Sequence, residues 1–301
     1  MLSSVPIRLV ALDLDGTLLS HHSEVTPRTR QAIAQAVAHG VIVLPATGRP
    51  LSNLPLVVAR LSGVRYAITS NGAAVWDLGA DPMSAVYSRY CNAAEHHTTE
   101  PVPLISHVLP VELAREAFAL YMEYPGAMSA FCDGRTYRDP VGMERFARRN
   151  ARRGSTEARQ PNDGRFTVVR DLGEWTSRHA HEIEKFCMFF DTPEEAQAAL
   201  PRFRALPGAE VVQGSPDNIE VTACGVDKGT ALLALADRLG IPREATLAVG
   251  DSENDRAMLE KAGTAAVMAN GMPAIRAMAD LVSAADCDHD GVAEVFERLG
   301  L

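Results

Sequence analysis

Both ends of the chain alternate short β-branched runs with helical patterns, and the middle does not. From the N-terminus to about Asn71 the text runs "IRLVALDLD", "TPRTRQAIAQAVAHG", "VIVLPATGR", "LSNLPLVVARLSG" and "RYAITSNG". That order of strand, helix, strand, helix, strand builds a parallel sheet covered by helices. The punctuation agrees, because Thr26 can cap a helix with Pro27 at its first position and Gly40 can end it in a left-handed conformation. The same grammar returns near the C-terminus, with "DKGTALLALADRLG" and "SENDRAMLEKAG" as helices and "ATLAVGD" and "TAAVMANG" as strands. From about Val86 to Thr222 aromatics, irregular prolines and arginines are denser, and "KFCMFF" and "AEVVQG" suit antiparallel strands. The expectation is an α/β protein: a Rossmann-like parallel-sheet core assembled from residues 1–85 and 223–301, with an α/β (α+β) cap domain inserted at 86–222.

A chain of 301 residues has length for such a division. With 38 acidic and 29 basic residues the net charge is -9, which leaves no general footprint for nucleic acid, so an anionic ligand needs a local site. No stretch approaches the ~18 uninterrupted apolar residues of a membrane span, and Asp13 comes too early for a signal peptide. Five scattered cysteines, Cys91, Cys132, Cys187, Cys224 and Cys287, lack the paired spacing of a zinc or redox motif. A reduced, cytoplasmic setting is expected, with neither nucleic acid nor membrane as partner; the oligomeric state is left open.

In open parallel sheets, ligands bind at the carboxyl ends of the strands. Each candidate strand here ends in polar residues: Asp13 and Asp15, Thr47 and Gly48, Asn71 and Gly72, Gly250 and Asp251. The helix starting near Asp227 would add Lys228, and the turn after Asp251 would add Asn254 and Asp255. Carboxylates gathered this closely raise one another's pKa unless a cation sits among them. A hard divalent ion with carboxylate ligands, completed by substrate phosphate, is what magnesium prefers. Lys228 and Thr47 would then face the phosphate oxygens.

"DLDGTLL", "ATGR", "DKG" and "GDSEND", in this order, resemble the four motifs of the haloacid dehalogenase (HAD) superfamily. The inserted middle and "SNGA" make the chain similar to the Cof-type subgroup, whose type IIB α/β cap enters between the second and third motifs. The resemblance implies that Asp13 is a nucleophile forming an aspartyl phosphate and that Asp15 is the acid that protonates the leaving oxygen and then activates water. It implies magnesium held by Asp13, Asp15 through its backbone carbonyl, and Asp251. Phosphate contacts fall on Leu14, Thr47, Gly48 and Asn254, with Lys228 as the third-motif lysine and Asp255 as a partner that orients Lys228 or a metal-bound water. The implied activity is a Mg2+-dependent phosphatase acting on a small phosphorylated metabolite, such as a sugar phosphate or phosphorylated cofactor. A phosphomutase of the same superfamily and a catalytically silent metabolite-binding protein are the alternatives.

Blander readings stand beside these. Asp13 and Asp15 could cap a helix, Lys228 could be a solvated helix end, and the run after Asp251 could be a capping box. His21, His22, His96, His97, His179 and His181 read as surface histidines without metal-ligand spacing, and Cys224 as a buried spectator thiol. Arg145, Arg148, Arg149, Arg152 and Arg153 read first as a solvated basic helix face. Pro45 is unusual within a parallel strand and marks a bulge or a strand end. "FCDGRTY", Phe131 to Tyr137, is a candidate specificity loop.

Overall fold

The computed structural model of the protein describes residues 5–90, 100–152 and 164–301. In chain order the first strands are Leu9–Leu12 (β1), Ile42–Pro45 (β2), Tyr66–Thr69 (β3), Ala74–Asp77 (β4) and Val102–Ser106 (β5). Ala127–Cys132 (β6), Arg135–Arg138 (β7), Phe166–Val168 (β8), Lys185–Phe189 (β9), Ala209–Val212 (β10) and Asn218–Ala223 (β11) follow. Thr246–Gly250 (β12), Thr264–Val267 (β13) and Leu281–Val282 (β14) close the series.

β1 is apolar and buried at every position, as a strand covered on both faces must be. It sits inside a five-stranded parallel sheet of order β14-β13-β12-β1-β2. Successive side chains leave opposite faces. Val10, Leu12, Val43 and Val249 pack with Ile33 of the helix Pro27–Ala38 and Phe296 of the helix Gly291–Leu299. Leu9, Ala11, Leu44 and Ala248 pack with Leu232 and Leu235 of the helix Lys228–Arg238. Truncating Ile33 or Leu232 to Ala, both fully buried, would cost roughly 2–5 kcal/mol. The first helix begins and ends as its sequence dictates: Thr26 Oγ1 accepts from Thr29 N at 3.3 Å, Pro27 is its first residue, and Gly40 takes φ 85°.

Register places the strand ends level. Leu12 pairs with both Pro45 and Val249, so the residues following β1, β2 and β12 emerge at one edge. Pro45 is the last residue of β2, and pairing continues through a bridge between Ala46 and Ile68. β3 then turns back on β4, and β4 on β5, as a small antiparallel sheet.

A mixed six-stranded sheet of order β10-β11-β9-β6-β7-β8 forms the cap, antiparallel except between β7 and β8. One face packs on the helices Val111–Tyr121, Leu172–His179 and Pro193–Arg204 through Phe186, Met188, Ile219 and Val221. The two-residue period turns the alternate residues of the same strands, Cys187, Phe189, Asn218 and Glu220, to the opposite face, which overlooks the parallel-sheet edge.

Some local expectations are corrected. "LSNLPLVVARLSG" is not one helix but a 3-10 turn, Leu51–Asn53, and a short helix, Leu56–Ala59, separated at Pro55, whose ring cannot continue the first turn's hydrogen bonding. Cys224 is exposed, because it lies in the turn just after β11. Among the described residues no helix is long and apolar enough to cross a membrane.

Candidate active site

Asp13 follows β1 directly, and its N–H donates to the Val249 carbonyl at 2.9 Å, so the nearby sheet fixes where its side chain begins. Lys228 opens its helix behind Asp227, whose carboxylate caps the Thr230 N–H at 2.8 Å. From there the fully buried ammonium reaches Asp13 Oδ1 at 2.6 Å and Asp255 Oδ1 at 2.7 Å. The second oxygen of Asp255 accepts from the backbone N–H groups of Asp251 and Ser252, at 3.0 and 3.1 Å. Both Asp255 oxygens are therefore engaged. Asp251 Oδ1 accepts from the Thr17 hydroxyl at 2.9 Å. Gly16 takes φ 89°, and a Cβ there would stand 2.8 Å from Asp251 Oδ2, so the turn leaves no room for a side chain.

Asp15 borders the cleft, where Arg49 grips it with two hydrogen bonds. Between the two aspartates the Leu14 side chain enters the hydrophobic core, and its carbonyl accepts from Thr17 N and Leu19 N at 3.3 and 2.8 Å. Thr47 is buried; its hydroxyl accepts from Arg49 N at 3.1 Å, and its carbonyl accepts from Asn71 N at 3.1 Å. Asn254 Oδ1 accepts from Ser252 Oγ at 2.8 Å. Asp13, Asp15, Thr47, Gly48 and Asn254 border one cavity of about 300 Å3, with Phe131, Arg138, Phe189 and Glu220 of the cap on its other side. The structure thus brings Asp13, Asp15, Thr47, Gly48 and Asn254 to one cavity, with Lys228, Asp255 and Asp251 connected behind Asp13.

The electrostatics are those of a site short of positive charge. Burial, then the neighbouring Asp255, hold the Asp13 carboxyl well above the usual range, against the pull of Lys228. Burial and Asp255 push Asp251 up to about 7, with the Thr17 hydrogen bond opposing. Burial opposes charge on Lys228, but Asp13 and Asp255 outweigh it and hold its pKa above the ordinary lysine value. Burial would raise Asp15 as well, yet the Arg49 charge and hydrogen bonds overcome it and lower its pKa. Carboxylate oxygens of Asp13, Asp251 and Asp255 lie within 4.8 Å of one another. Asp13 and Asp251 offer hard oxygen donors that suit a divalent, oxygen-loving cation, whereas both Asp255 oxygens are already taken.

Several participants were not singled out from the sequence. Arg49 ends "ATGR" and Thr17 lies within "DLDGTLL", but neither residue type signals its role there. Lys185 and Glu220 of the cap, which touch the Gly48 turn, carried only the signal of charges inside apolar strands.

Of the bland expectations, that of a surface histidine holds at His21, which gains neighbours, and that of a solvated Arg149 is corrected. His21 Nδ1 lies 2.6 Å from Asp288 Oδ2 and 3.8 Å from Cys287 Sγ, neighbours that sequence separation had hidden. Arg149 is not on a solvated face: it pairs with Asp217 at 2.7 and 3.1 Å and borders the cavity. Arg148 does lie on the exposed side, paired with Glu144. Arg153, His96 and His97 lie outside the described residues.

Residues 10–296 match the model of the haloacid dehalogenase-like hydrolases, and the chain belongs to that family. Phosphatase YwpJ of Bacillus subtilis (strain 168) is 28% identical over 300 residues, covering 97% of this chain and 100% of its own. The 5-amino-6-(5-phospho-D-ribitylamino)uracil phosphatase YcsE of the same organism is 27% identical, covering 98% of this chain and 96% of its own. A solved haloacid dehalogenase-like hydrolase from B. subtilis superposes with a TM-score of 0.76 at 25% identity, over 97% of this chain and 100% of that one. The parallel-sheet core with its mixed α/β cap is of the Cof type, and the chain stands among the phosphoric monoester hydrolases of the family.

Proposed function

We propose that the protein is a magnesium-dependent phosphatase that hydrolyses small phosphomonoesters through an aspartyl phosphate on Asp13. The observation that carries this is the buried Asp13–Lys228–Asp255 chain beside Asp251, opening onto a cavity of about 300 Å3. Phosphate monoesters hydrolyse so slowly unaided that a catalyst must lower the barrier by roughly 20 kcal/mol, which calls for several groups acting together.

Asp13, with one oxygen held by Lys228, attacks phosphorus with the other; a P–O bond forms to Asp13 as the bond to the leaving oxygen breaks. Asp15 delivers a proton to that oxygen. A water then attacks the phosphoryl group, Asp15 takes the water's proton, and the Asp13–phosphorus bond breaks to release inorganic phosphate. Lys228, the Thr47 hydroxyl, the backbone at Leu14 and Gly48, and the Asn254 amide hold the phosphoryl oxygens as charge develops on them. Asp255 keeps the lysine aimed. Asp13, Asp251 and the Asp15 carbonyl would hold Mg2+, which would supply positive charge to offset that of the carboxylates and the phosphate. Residues 1–85 and 223–301 form the catalytic core and 86–222 the cap, although β5 pairs back onto β4.

The cavity suits a sugar phosphate or a phosphorylated cofactor, and YcsE, named for a phosphorylated uracil derivative, exemplifies the class among relatives. The enzyme is assigned to the cytoplasm. A phosphate-release screen with magnesium over sugar, nucleotide and cofactor phosphates tests the proposal. Release from one of these, lost in Asp13→Asn, is expected; isomerised sugar phosphate without free phosphate, or no turnover across the panel, would overturn it.

A further inference from the structure

Lys185 is fully buried on β9, yet its ammonium serves neither the cap's own core nor solvent. It crosses to the parallel-sheet side, donates to the Gly48 carbonyl and lies 2.8 Å from Glu220 Oε2. The same Glu220 oxygen accepts from the Asn71 side-chain amide, and Glu220 Oε1 accepts from Asn218 Nδ2 at 2.9 Å. A buried ion pair is an expensive way to fill space, since two apolar side chains of similar volume often stabilise as well or better. What this one adds is direction.

The direction leads to Thr47. In a planar trans peptide a carbonyl and the following N–H point opposite ways, so fixing the Gly48 carbonyl fixes the Arg49 N–H. That N–H donates to Thr47 Oγ1 at 3.1 Å. A hydroxyl that accepts from backbone keeps its own hydrogen to donate, and Thr47 borders the same cavity as Asp13. On the other side of the turn, Asn71 N donates to the Thr47 carbonyl at 3.1 Å while Glu220 holds the Asn71 side chain. Close packing demands glycine at position 48, where a Cβ would stand 2.8 Å from Asn71 Oδ1.

We propose that Lys185 and Glu220 are positioning residues lent by the cap: they orient the Thr47–Gly48–Arg49 turn so that the Thr47 hydroxyl donates to substrate phosphate. The assignment rests on the phosphatase function proposed above. It makes the phosphate side of the site depend on side chains of the cap.

The test compares the parent with Lys185→Met, Thr47→Ala, Lys185→Met/Thr47→Ala and Lys185→Met/Glu220→Gln, the last free of an uncompensated buried charge. Each is measured with magnesium for inorganic phosphate binding by calorimetry, for kcat/KM on p-nitrophenyl phosphate, and for thermal unfolding. Lys185→Met/Glu220→Gln is expected to unfold near the parent temperature yet bind phosphate roughly tenfold more weakly. In the Thr47→Ala background, Lys185→Met should add less than about a twofold loss, because its effect runs through Thr47. Additive losses, or phosphate binding that recovers together with stability in the neutral double variant, would overturn the proposal, as would failure of that variant to fold. A parent that binds phosphate but hydrolyses nothing sinks the phosphatase function alone, and the binding cycle still decides the role of Lys185. A parent that does neither sinks both.

Discussion

Arg49 holds Asp15 by both carboxylate oxygens, Nε to Oδ2 at 2.9 Å and Nη2 to Oδ1 at 2.7 Å. The contact joins the residue two after Asp13 to the residue two after Thr47, so the ends of β1 and β2 are tied across the cleft. It also works against acid catalysis, because a neighbouring guanidinium favours the ionised carboxylate. In the ligand-free protein Asp15 is the base form.

Arg49→Met should therefore raise the Asp15 pKa, since it removes the charge and the hydrogen bonds that overcome burial. Carboxyl titration followed by NMR in the metal-free protein checks this. A midpoint below that of free aspartate in the parent, moving upward in the variant, is expected; an unmoved midpoint would show that Arg49 does not set it.

The parallel-sheet half of the site was legible because three regularities coincide there. Strands buried on both faces read as unbroken apolar runs, their ends are marked by the first polar residues, and parallel register brings those ends level. Asp13, Thr47 and Asp251 needed nothing more. The cap wall obeys a weaker rule. On β9 and β11 the cleft side is every second residue, and Lys185 and Glu220 are charges whose partners lie 35 and 149 positions away, a distance that only the assembled sheet removes. His21 and Cys287, 266 positions apart, escaped for the same reason.

Asp13→Asn should abolish turnover, by a factor of at least about 10³, because an amide is a poor nucleophile. It should not weaken the fold. A carboxyl whose folded pKa is raised makes the fold less stable as pH rises from the unfolded value, and that loss persists above the folded value. Asp13 is such a group, with burial and Asp255 as the causes. Without metal at about pH 8, the variant should unfold at or above the parent temperature, and the difference should shrink toward about pH 4, where the unfolded carboxyl regains its proton. A variant that melts well below the parent at high pH contradicts this account.

Metal binding should depend on pH through Asp251. Burial and Asp255 push its pKa up to about 7, so near neutrality a bound cation has to displace a proton. Magnesium affinity measured by calorimetry should rise as pH increases through about 7, and the apparent enthalpy should change with the ionisation heat of the buffer. Asp251→Asn should lose both the affinity and most of its pH dependence. Affinity that is flat across this range would mean that Asp251 does not exchange a proton for the metal.

Lys228→Met separates charge from shape. Methionine retains much of the stem but leaves Asp13 and Asp255, both buried, without their shared cation. Breaking such a pair by removing one partner costs about 3–5 kcal/mol, so the single variant should unfold markedly earlier than the parent. Lys228→Met/Asp255→Asn removes one of the two stranded charges and should recover much of that stability. Activity should not return with it, because the lysine's largest contribution is made as charge moves onto the phosphoryl oxygens; kcat should fall by more than KM rises. Added magnesium should restore little, since the lysine bridges Asp13 and Asp255 from a fully buried position. Full rescue by magnesium, or parental activity in the double variant, would show that Lys228 is structural and that Asp13 is activated by something else.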